Sequence, residues 1–135
     1  MKLKKFFFKK VKSTNNTAMR LIRSGIKNGI ISSEIQTKGK GQRGNNWISR
    51  KGNLFLTIFF QVDNNLSLKK ITNINLHIIK KNIKNLVKAK IYIKLPNDIL
   101  LNKKKVCGIL QEIVFRNNLK YLVVGIGINL INSPD

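Results

Sequence analysis

The sequence predicts an α+β fold, in which a mixed or largely antiparallel sheet carries packed helices. Most of the apolar runs are short and rich in Ile, Val and Phe, as strands are. The later runs are separated by short turns, which favours antiparallel neighbours. Only two segments show apolar residues at helical spacing. We expect these two helices to cover one face of the sheet.

The first half of the chain predicts a strand at 6–11, a helix, and strands at 30–37 and 53–61. Ser13, Thr14 and Asn15 are candidate N-caps for the helix, and Gly25 is suited to end it. A glycine-rich loop, 39–44, lies between the second and third strands. Strand 53–61 is apolar on both faces, which indicates an interior strand.

The second half predicts one long helix followed by four strands. Ser67 is its candidate N-cap, and the helix is expected to reach Val87. Strands are predicted near 91–94, 99–101, 105–115 and 120–128, with a hairpin turn at Asn117-Asn118. The expected buried side of the helix carries Leu68, Ile71, Ile74, Ile78, Ile79, Ile83 and Leu86.

Length and composition indicate a single domain spanning 1–135, with enough apolar residues, 42%, for a core. The formal charge of +22 fits either a polyanion partner or compositional drift towards Lys, Asn and Ile. Because the basic residues are spread along the whole chain, we favour drift and expect no specific nucleic acid.

The single cysteine, Cys107, excludes an intramolecular disulfide and fits a reducing compartment. No apolar stretch approaches the roughly 20 residues of a membrane span. The N-terminal Phe run is too short for a signal peptide, whose apolar region needs about 7–15 residues. We therefore expect a cytoplasmic protein without membrane association.

The most informative feature is the run Lys94-Leu95-Pro96-Asn97-Asp98, followed by Lys105. Pro96 removes a backbone donor, so a strand should end there. Lys105 opens the next strand. The two strand ends and the turn between them should bring the Lys105 ammonium and the Asp98 carboxylate together, an arrangement suited to handling anions.

The loop 39–44, Gly39-Lys40-Gly41-Gln42-Arg43-Gly44, fits the letters of the dinucleotide fingerprint G-x-G-x-x-G. That fingerprint requires a helix to open at the last glycine, and Asn45-Asn46-Trp47 does not begin one. A flexible loop that binds an anion through its backbone N–H groups, with cations on its side chains, fits better. A plain hairpin loop is the alternative.

Taken together, several motifs resemble the catalytic domain of the biotin–protein ligases, over nearly the whole chain and in the family's order. They are Ser13-Thr14-Asn15; Glu34-Ile35-Gln36; the loop 39–44 with Asn45-Asn46-Trp47; Gly52-Asn53-Leu54; Lys94-Leu95-Pro96-Asn97-Asp98; Lys105 with Gly108-Ile109-Leu110 and Glu112; and Gly125-Ile126-Gly127-Ile128-Asn129.

The resemblance implies a ligase that activates biotin with ATP, in the presence of Mg²⁺, to biotinyl-5′-adenylate. The biotin is then transferred to a lysine of a biotin carboxyl carrier protein. It implies that Lys105 bridges the biotin carboxylate and the α-phosphate. Asp98 would either orient the incoming amine or bind metal, and the sequence does not choose between these two roles.

The other implied contacts are substrate contacts. Biotin would be bound by Ser13, Thr14, Asn15 and Gln36, with Gly108 beside them. The loop residues Gly39, Lys40, Gly41, Gln42 and Arg43 would close over the adenylate, Trp47 would stack near the adenine, and Asn97 and Asn129 would hold the phosphates or their Mg²⁺.

The chain departs from the family pattern inside the loop. Gln42 and Asn45 stand where arginines are usual, and Lys40 replaces a third. Leu95 stands where Trp is common. The family continues beyond the last motif, so we expect apolar sheet surface left uncovered after Ile131, and association or a homodimer through it.

Several residues have plainer interpretations. His77 is expected to serve helix packing, and Cys107 to be a small buried hydrophobe on the same strand face as Lys105. Trp47 is either core or an adenine platform, and Glu112 a structural strand residue rather than an acid. The rival functions are a lipoate–protein ligase-like enzyme, an inactive remnant and a basic nucleic-acid-binding domain.

Overall fold

Seven strands and two helices are formed by residues 2–130, the part of the chain that the computed structural model describes. Each predicted element is present, within about two or three residues of its expected ends. In chain order they are β1 (Lys5–Val11), α1 (Thr14–Arg23), β2 (Gly29–Gln36), β3 (Leu54–Val62), α2 (Leu68–Lys84), β4 (Ile91–Lys94), β5 (Asp98–Leu101), β6 (Lys104–Arg116) and β7 (Leu119–Ile128).

The strands form one mixed sheet in the order β1-β2-β3-β7-β6-β5-β4. β1 and β2 pair in parallel, and α1 makes the crossover that a parallel pair requires. Each of the other neighbouring pairs is antiparallel. The predicted mixed, largely antiparallel sheet is confirmed, and β3 is an interior strand as expected.

The two helices lie on opposite faces of the sheet, so the expectation of one covered face was wrong. On β7, Val123 packs in one core cluster with Ala18 of α1. The adjacent Leu122 packs in the other cluster with Leu76 of α2. Successive residues of a strand point to opposite faces. Apolar spacing shows that a helix has a buried stripe, but not which face of the sheet the stripe meets.

The buried stripe of α2 is centred differently from the prediction. Leu76 is fully buried, whereas Ile74 and Ile78 are 52% and 53% exposed. Ile79 and Ile83 pack against the core as predicted. Apolar residues occur on almost every side of this helix, so the sequence allowed more than one stripe.

Capping side chains fix both helix starts as the sequence predicted. The Ser13 hydroxyl accepts a hydrogen bond from the Asn16 N–H, and Ser67 accepts one from Lys70. Asn117 and Asn118 have φ of 52° and 61°, as the hairpin turn requires. Within residues 2–130, no helix is long and apolar enough to cross a membrane.

Candidate active site

Lys105 and Asp98 form an ion pair where β5 and β6 begin. The Lys105 Nζ lies 3.0 Å from the Asp98 Oδ1. The Asp98 side chain is 17% exposed and that of Lys105 is 45% exposed. The predicted meeting of these two groups is confirmed, and the partly exposed Lys105 side chain lines a pocket.

A β-bulge turns Lys105 towards this pocket. Ile99 pairs with Cys107 but Leu100 pairs with Lys105, so Val106 is an extra residue in β6. Val106 and Cys107 both pack against the core on the α2 side. Lys105 lines the pocket on the other face. The expectation that Cys107 and Lys105 share a face was wrong, because strict alternation fails at a bulge.

Cys107 is a buried, neutral hydrophobe, as predicted. Burial, together with the negative charge of Asp98, raises the pKa of the thiol to about 12, although the nearby Lys105 partly offsets the rise. The thiol therefore remains protonated and unreactive at neutral pH.

The pocket lies on the α1 side of the sheet, between the start of α1, the glycine loop and strands β6 and β7. Most of the predicted site residues meet there. Its lining includes Ser13, Thr14, Asn15, Gln36, Lys40, Gly41, Gln42, Trp47, Asn97, Lys105 and Gly108.

Four predicted site residues do not line the pocket. One is Asp98, which lies beside it as the ion-pair partner of the lining residue Lys105. Arg43 has a left-handed backbone conformation, with φ of 55°, and is not one of the residues that line the pocket. Gly39, at the start of the loop, packs closely against the Trp47 carbonyl. Asn129 follows the end of β7 beside β6, where its N–H donates to the Val106 carbonyl at 2.7 Å and its Nδ2 to the Lys105 carbonyl at 3.4 Å. Asn129 thus supports the bulge that presents Lys105.

The Trp47 ring packs against two glycines that line the pocket. This position argues against the alternative that Trp47 is only a core residue. A Cβ on Gly127 would lie 2.6 Å from the indole Cε2, and one on Gly108 2.8 Å from Cζ3. Only glycine permits this approach. The Lys105 Nζ lies 5.1 Å from the ring centroid, within cation–π range.

A buried hydroxyl connects the polar residues of the pocket, and sequence reasoning missed it. Thr57 is 0% exposed, and its Oγ1 lies 2.7 Å from both Thr14 Oγ1 and Asn15 Oδ1. The Thr14 N–H and hydroxyl in turn donate to Gln36 Oε1 at 2.8 and 3.1 Å. The available signal was a lone hydroxyl in the apolar strand Leu54–Val62.

Two further polar residues are held by the central strands. The Asn97 Nδ2 donates to the Ile109 carbonyl at 2.9 Å, and the Asn97 carbonyl accepts from the Ile109 N–H at 3.0 Å. Glu112 forms an ion pair with Lys40 of the glycine loop at 3.2 Å. These contacts fix the two walls of the pocket relative to each other.

The pocket offers cations, amides and hydroxyls rather than a set of metal ligands. Within residues 2–130, no group of three or more His, Cys, Asp or Glu side chains is placed to hold a metal ion. Such a lining suits a ligand that has a polar head and an anionic end.

The sequence profile of the biotin/lipoate A/B protein ligase family matches residues 7–129, and the chain belongs to this family. A bifunctional ligase/repressor BirA of Bacillus subtilis is 30% identical over 129 residues, which is 91% of this chain and 39% of that protein. A biotin–[acetyl-CoA-carboxylase] ligase of Paracoccus denitrificans is 30% identical over 91% of this chain and 53% of its own length.

The structural comparison agrees with the sequence comparison. The biotin protein ligase from Aquifex aeolicus, solved in complex with biotin and ATP, superposes with a TM-score of 0.81 and 26% identity. It is matched over 98% of this chain and 54% of that one. The chain therefore spans about half, or less, of the length of these relatives.

Proposed function

We propose that this chain carries a biotin–protein ligase activity: ATP-dependent activation of biotin, followed by transfer to a lysine of a biotin carboxyl carrier protein. The observation that carries the proposal is the Lys105–Asp98 ion pair beside the Thr14–Gln36 hydrogen bonds in one pocket. The amide and hydroxyl end suits the ureido group of biotin, and the cationic end suits its carboxylate.

In the first step, a carboxylate oxygen of biotin attacks the α-phosphorus of ATP. A new C–O–P linkage forms, the α–β P–O bond breaks, and pyrophosphate leaves. Two anions must approach each other, and a fixed ammonium between them relieves the repulsion. The exposed Lys105 Nζ can reach this point, whereas Asp98 and Trp47 restrict its position.

In the second step, the amine of the carrier lysine attacks the acyl carbonyl, and AMP leaves as the amide forms. The amine must lose a proton. Asp98 lies beside this end of the pocket as the partner of Lys105, and in this proposal it orients the incoming amine once Lys105 has moved to the phosphate.

Mg²⁺ would be held mainly by the phosphates of ATP, and would neutralise part of their charge. This fits the chain's residues, because Asn97 lines the pocket and the Asp98 carboxylate lies beside it with Lys105, while the described residues contain no cage of three carboxylates or imidazoles. Mg²⁺ commonly binds through one or two carboxylates together with substrate phosphates.

The proposed activity implies a cytoplasmic location, where biotin carrier proteins and ATP occur. We also propose self-association through the sheet. Phe7 of β1 points away from the α1 core that contains Phe6 and Phe8, and is 66% exposed. Ile131, after which the sheet surface was expected to be uncovered, lies outside the described residues. Sedimentation at micromolar concentration tests this proposal.

The direct test of transfer uses a biotin carboxyl carrier domain and a lipoyl domain, each offered with biotin or lipoate and ATP. We expect a mass increase on the carrier lysine with biotin only. Modification of the lipoyl domain with lipoate would favour the lipoate ligase alternative. No modification of either domain by a folded protein would favour an inactive remnant.

A further inference from the structure

Glu112 lies on the pocket face of β6 and contacts two different parts of the site. Its Oε1 accepts a hydrogen bond from Asn15 Nδ2 of α1 at 2.9 Å. The same carboxylate lies 3.2 Å from the Lys40 ammonium of the glycine loop. One side chain therefore connects the start of α1 to the loop that forms the opposite edge of the pocket.

The contact with Asn15 also sets the direction of the hydrogen bonds inside the pocket. Asn15 Nδ2 donates to Glu112 and, at 3.2 Å, to the Leu110 carbonyl, so both of its protons are used. Asn15 Oδ1 must then face the Thr57 hydroxyl, which donates to it at 2.7 Å. Because Thr57 gives its one proton to Asn15, the single Thr14 hydroxyl proton is left for either Thr57 Oγ1 or Gln36 Oε1, and the Thr14 backbone N–H donates to Gln36 in both cases.

The contact with Lys40 ties the glycine loop to the sheet. Within the loop, the Gly41 N–H donates to the Asn45 carbonyl and the Trp47 N–H to the Gly39 carbonyl. These bonds shape the loop but do not attach its tip to β6. The Lys40–Glu112 ion pair makes that attachment, with both side chains about one-third exposed, at 33% and 28%.

Acidic side chains are rare in this chain, which makes the placement of Glu112 informative. The sequence has 5 acidic residues against 27 basic ones. A single carboxylate beside Lys40 lowers the positive potential at the loop, where an anionic ligand is also expected to bind.

We propose that Glu112 is a positioning residue that holds the glycine loop against the pocket before any ligand binds, through Lys40, and fixes the Asn15–Thr57–Thr14 hydrogen bonds. The role in catalysis rests on the proposed function, whereas the role in holding the loop does not. A pre-closed loop raises the fraction of binding-competent molecules and so lowers the apparent KM without changing the chemistry.

Hydrogen exchange of residues 39–46 in the unliganded protein tests the loop role directly. We expect Glu112→Gln to speed exchange about three- to fivefold, as loss of a partly exposed ion pair implies. Lys40→Met should act equally, and the double variant no more than either single one, because both remove the same interaction. The charge-retaining Glu112→Asp should restore part of the protection.

Lys38→Met is the matched control, since Lys38 lies in the same segment and its ammonium makes no ion pair with residues 2–130. Its exchange profile should equal that of wild type. Exchange in β7 monitors folding and should be unchanged in every variant. In about 1 M salt, the difference between wild type and Glu112→Gln should shrink.

The kinetic readout is a split between KM and kcat. For Glu112→Gln, the biotin KM should rise by about the same factor as loop exchange, with kcat little changed. Unchanged loop exchange, or additive effects of the two single variants, would overturn the proposal, as would a selective loss of kcat. An inactive wild-type protein would refute the proposed function alone, because the exchange measurement would still decide the role of Glu112.

Discussion

Asp98 holds the ammonium of Lys105 at 3.0 Å while 45% of the lysine side chain stays exposed. The bulge at Val106 and the Asn129 hydrogen bond to the Lys105 carbonyl fix the backbone that presents this lysine. The cation is therefore placed in advance but can exchange Asp98 for an incoming phosphate or carboxylate. Preorganised charge of this kind costs little reorganisation when the reaction occurs.

Replacement of Lys105 by alanine should abolish adenylate formation and leave the fold intact. Loss of one such group costs about 3 kcal/mol of barrier, roughly a hundredfold in rate. Lys104→Ala is the matched control and should be near neutral. Lys103→Ala should also be near neutral, although its φ of 68° makes it the less clean control. If Lys104→Ala were inactive and Lys105→Ala active, the catalytic lysine would be Lys104 and our assignment would be wrong.

Removal of the buried hydroxyl of Thr57 should weaken biotin binding. Thr57→Val keeps the shape but removes the hydroxyl that donates to the Asn15 side-chain oxygen at 2.7 Å, and a buried acceptor left unsatisfied costs about 1–3 kcal/mol. The biotin KM should rise at least severalfold, measured by initial rates. Thr72→Val removes a hydroxyl that bonds only to the Leu68 carbonyl of α2, and should leave the KM unchanged.

The loop residue Gln42 lines the pocket at a position where the family usually carries arginine. With that cation missing, the adenylate should escape to bystander lysines more readily. Gln42→Arg should slow release of biotinyl-adenylate, measured by rapid filtration or by labelling of a bystander protein. Gln61→Arg adds the same charge on an exposed part of β3 and should have no effect. Equal release by wild type and Gln42→Arg would show that residue 42 does not contact the intermediate.

The net charge of +22 should give weak, non-specific nucleic-acid binding. Such binding depends on counterion release, so affinity for DNA and RNA should fall steeply between about 50 and 200 mM salt. Fluorescence anisotropy with duplexes of unrelated sequence measures this. Tight, sequence-selective binding at physiological salt would support the nucleic-acid-binding alternative.

The sequence predicted the family, the sheet class, every strand and both α-helices, because strand runs and capping serines are local features. Ser13 and Ser67 cap the helices as expected. Which face of the sheet each helix covers was not predictable in this way, since it depends on the side of the sheet over which the chain crosses. The expectation that both cover one face was therefore wrong.

Within the site, the pairing of Asp98 with Lys105 followed from turn and strand ends alone. The face of the sheet on which Lys105 lies could not be predicted in this way, because the one extra residue, Val106, reverses the alternation of side chains along β6. Thr57 was missed as a site residue for a related reason, and Glu112 was expected to be a structural strand residue only. Their importance comes from contacts with Asn15, which lies 42 and 97 residues away along the chain.

The most direct test of the central claim is formation of biotinyl-5′-adenylate by the purified protein from biotin, ATP and Mg²⁺, without any carrier. Biotin-dependent exchange of pyrophosphate into ATP and mass detection of the adenylate both report this step. We predict adenylate formation by wild type, lost in Lys105→Ala and absent when lipoate replaces biotin. A folded wild-type protein that gives no biotin-dependent exchange would contradict the account.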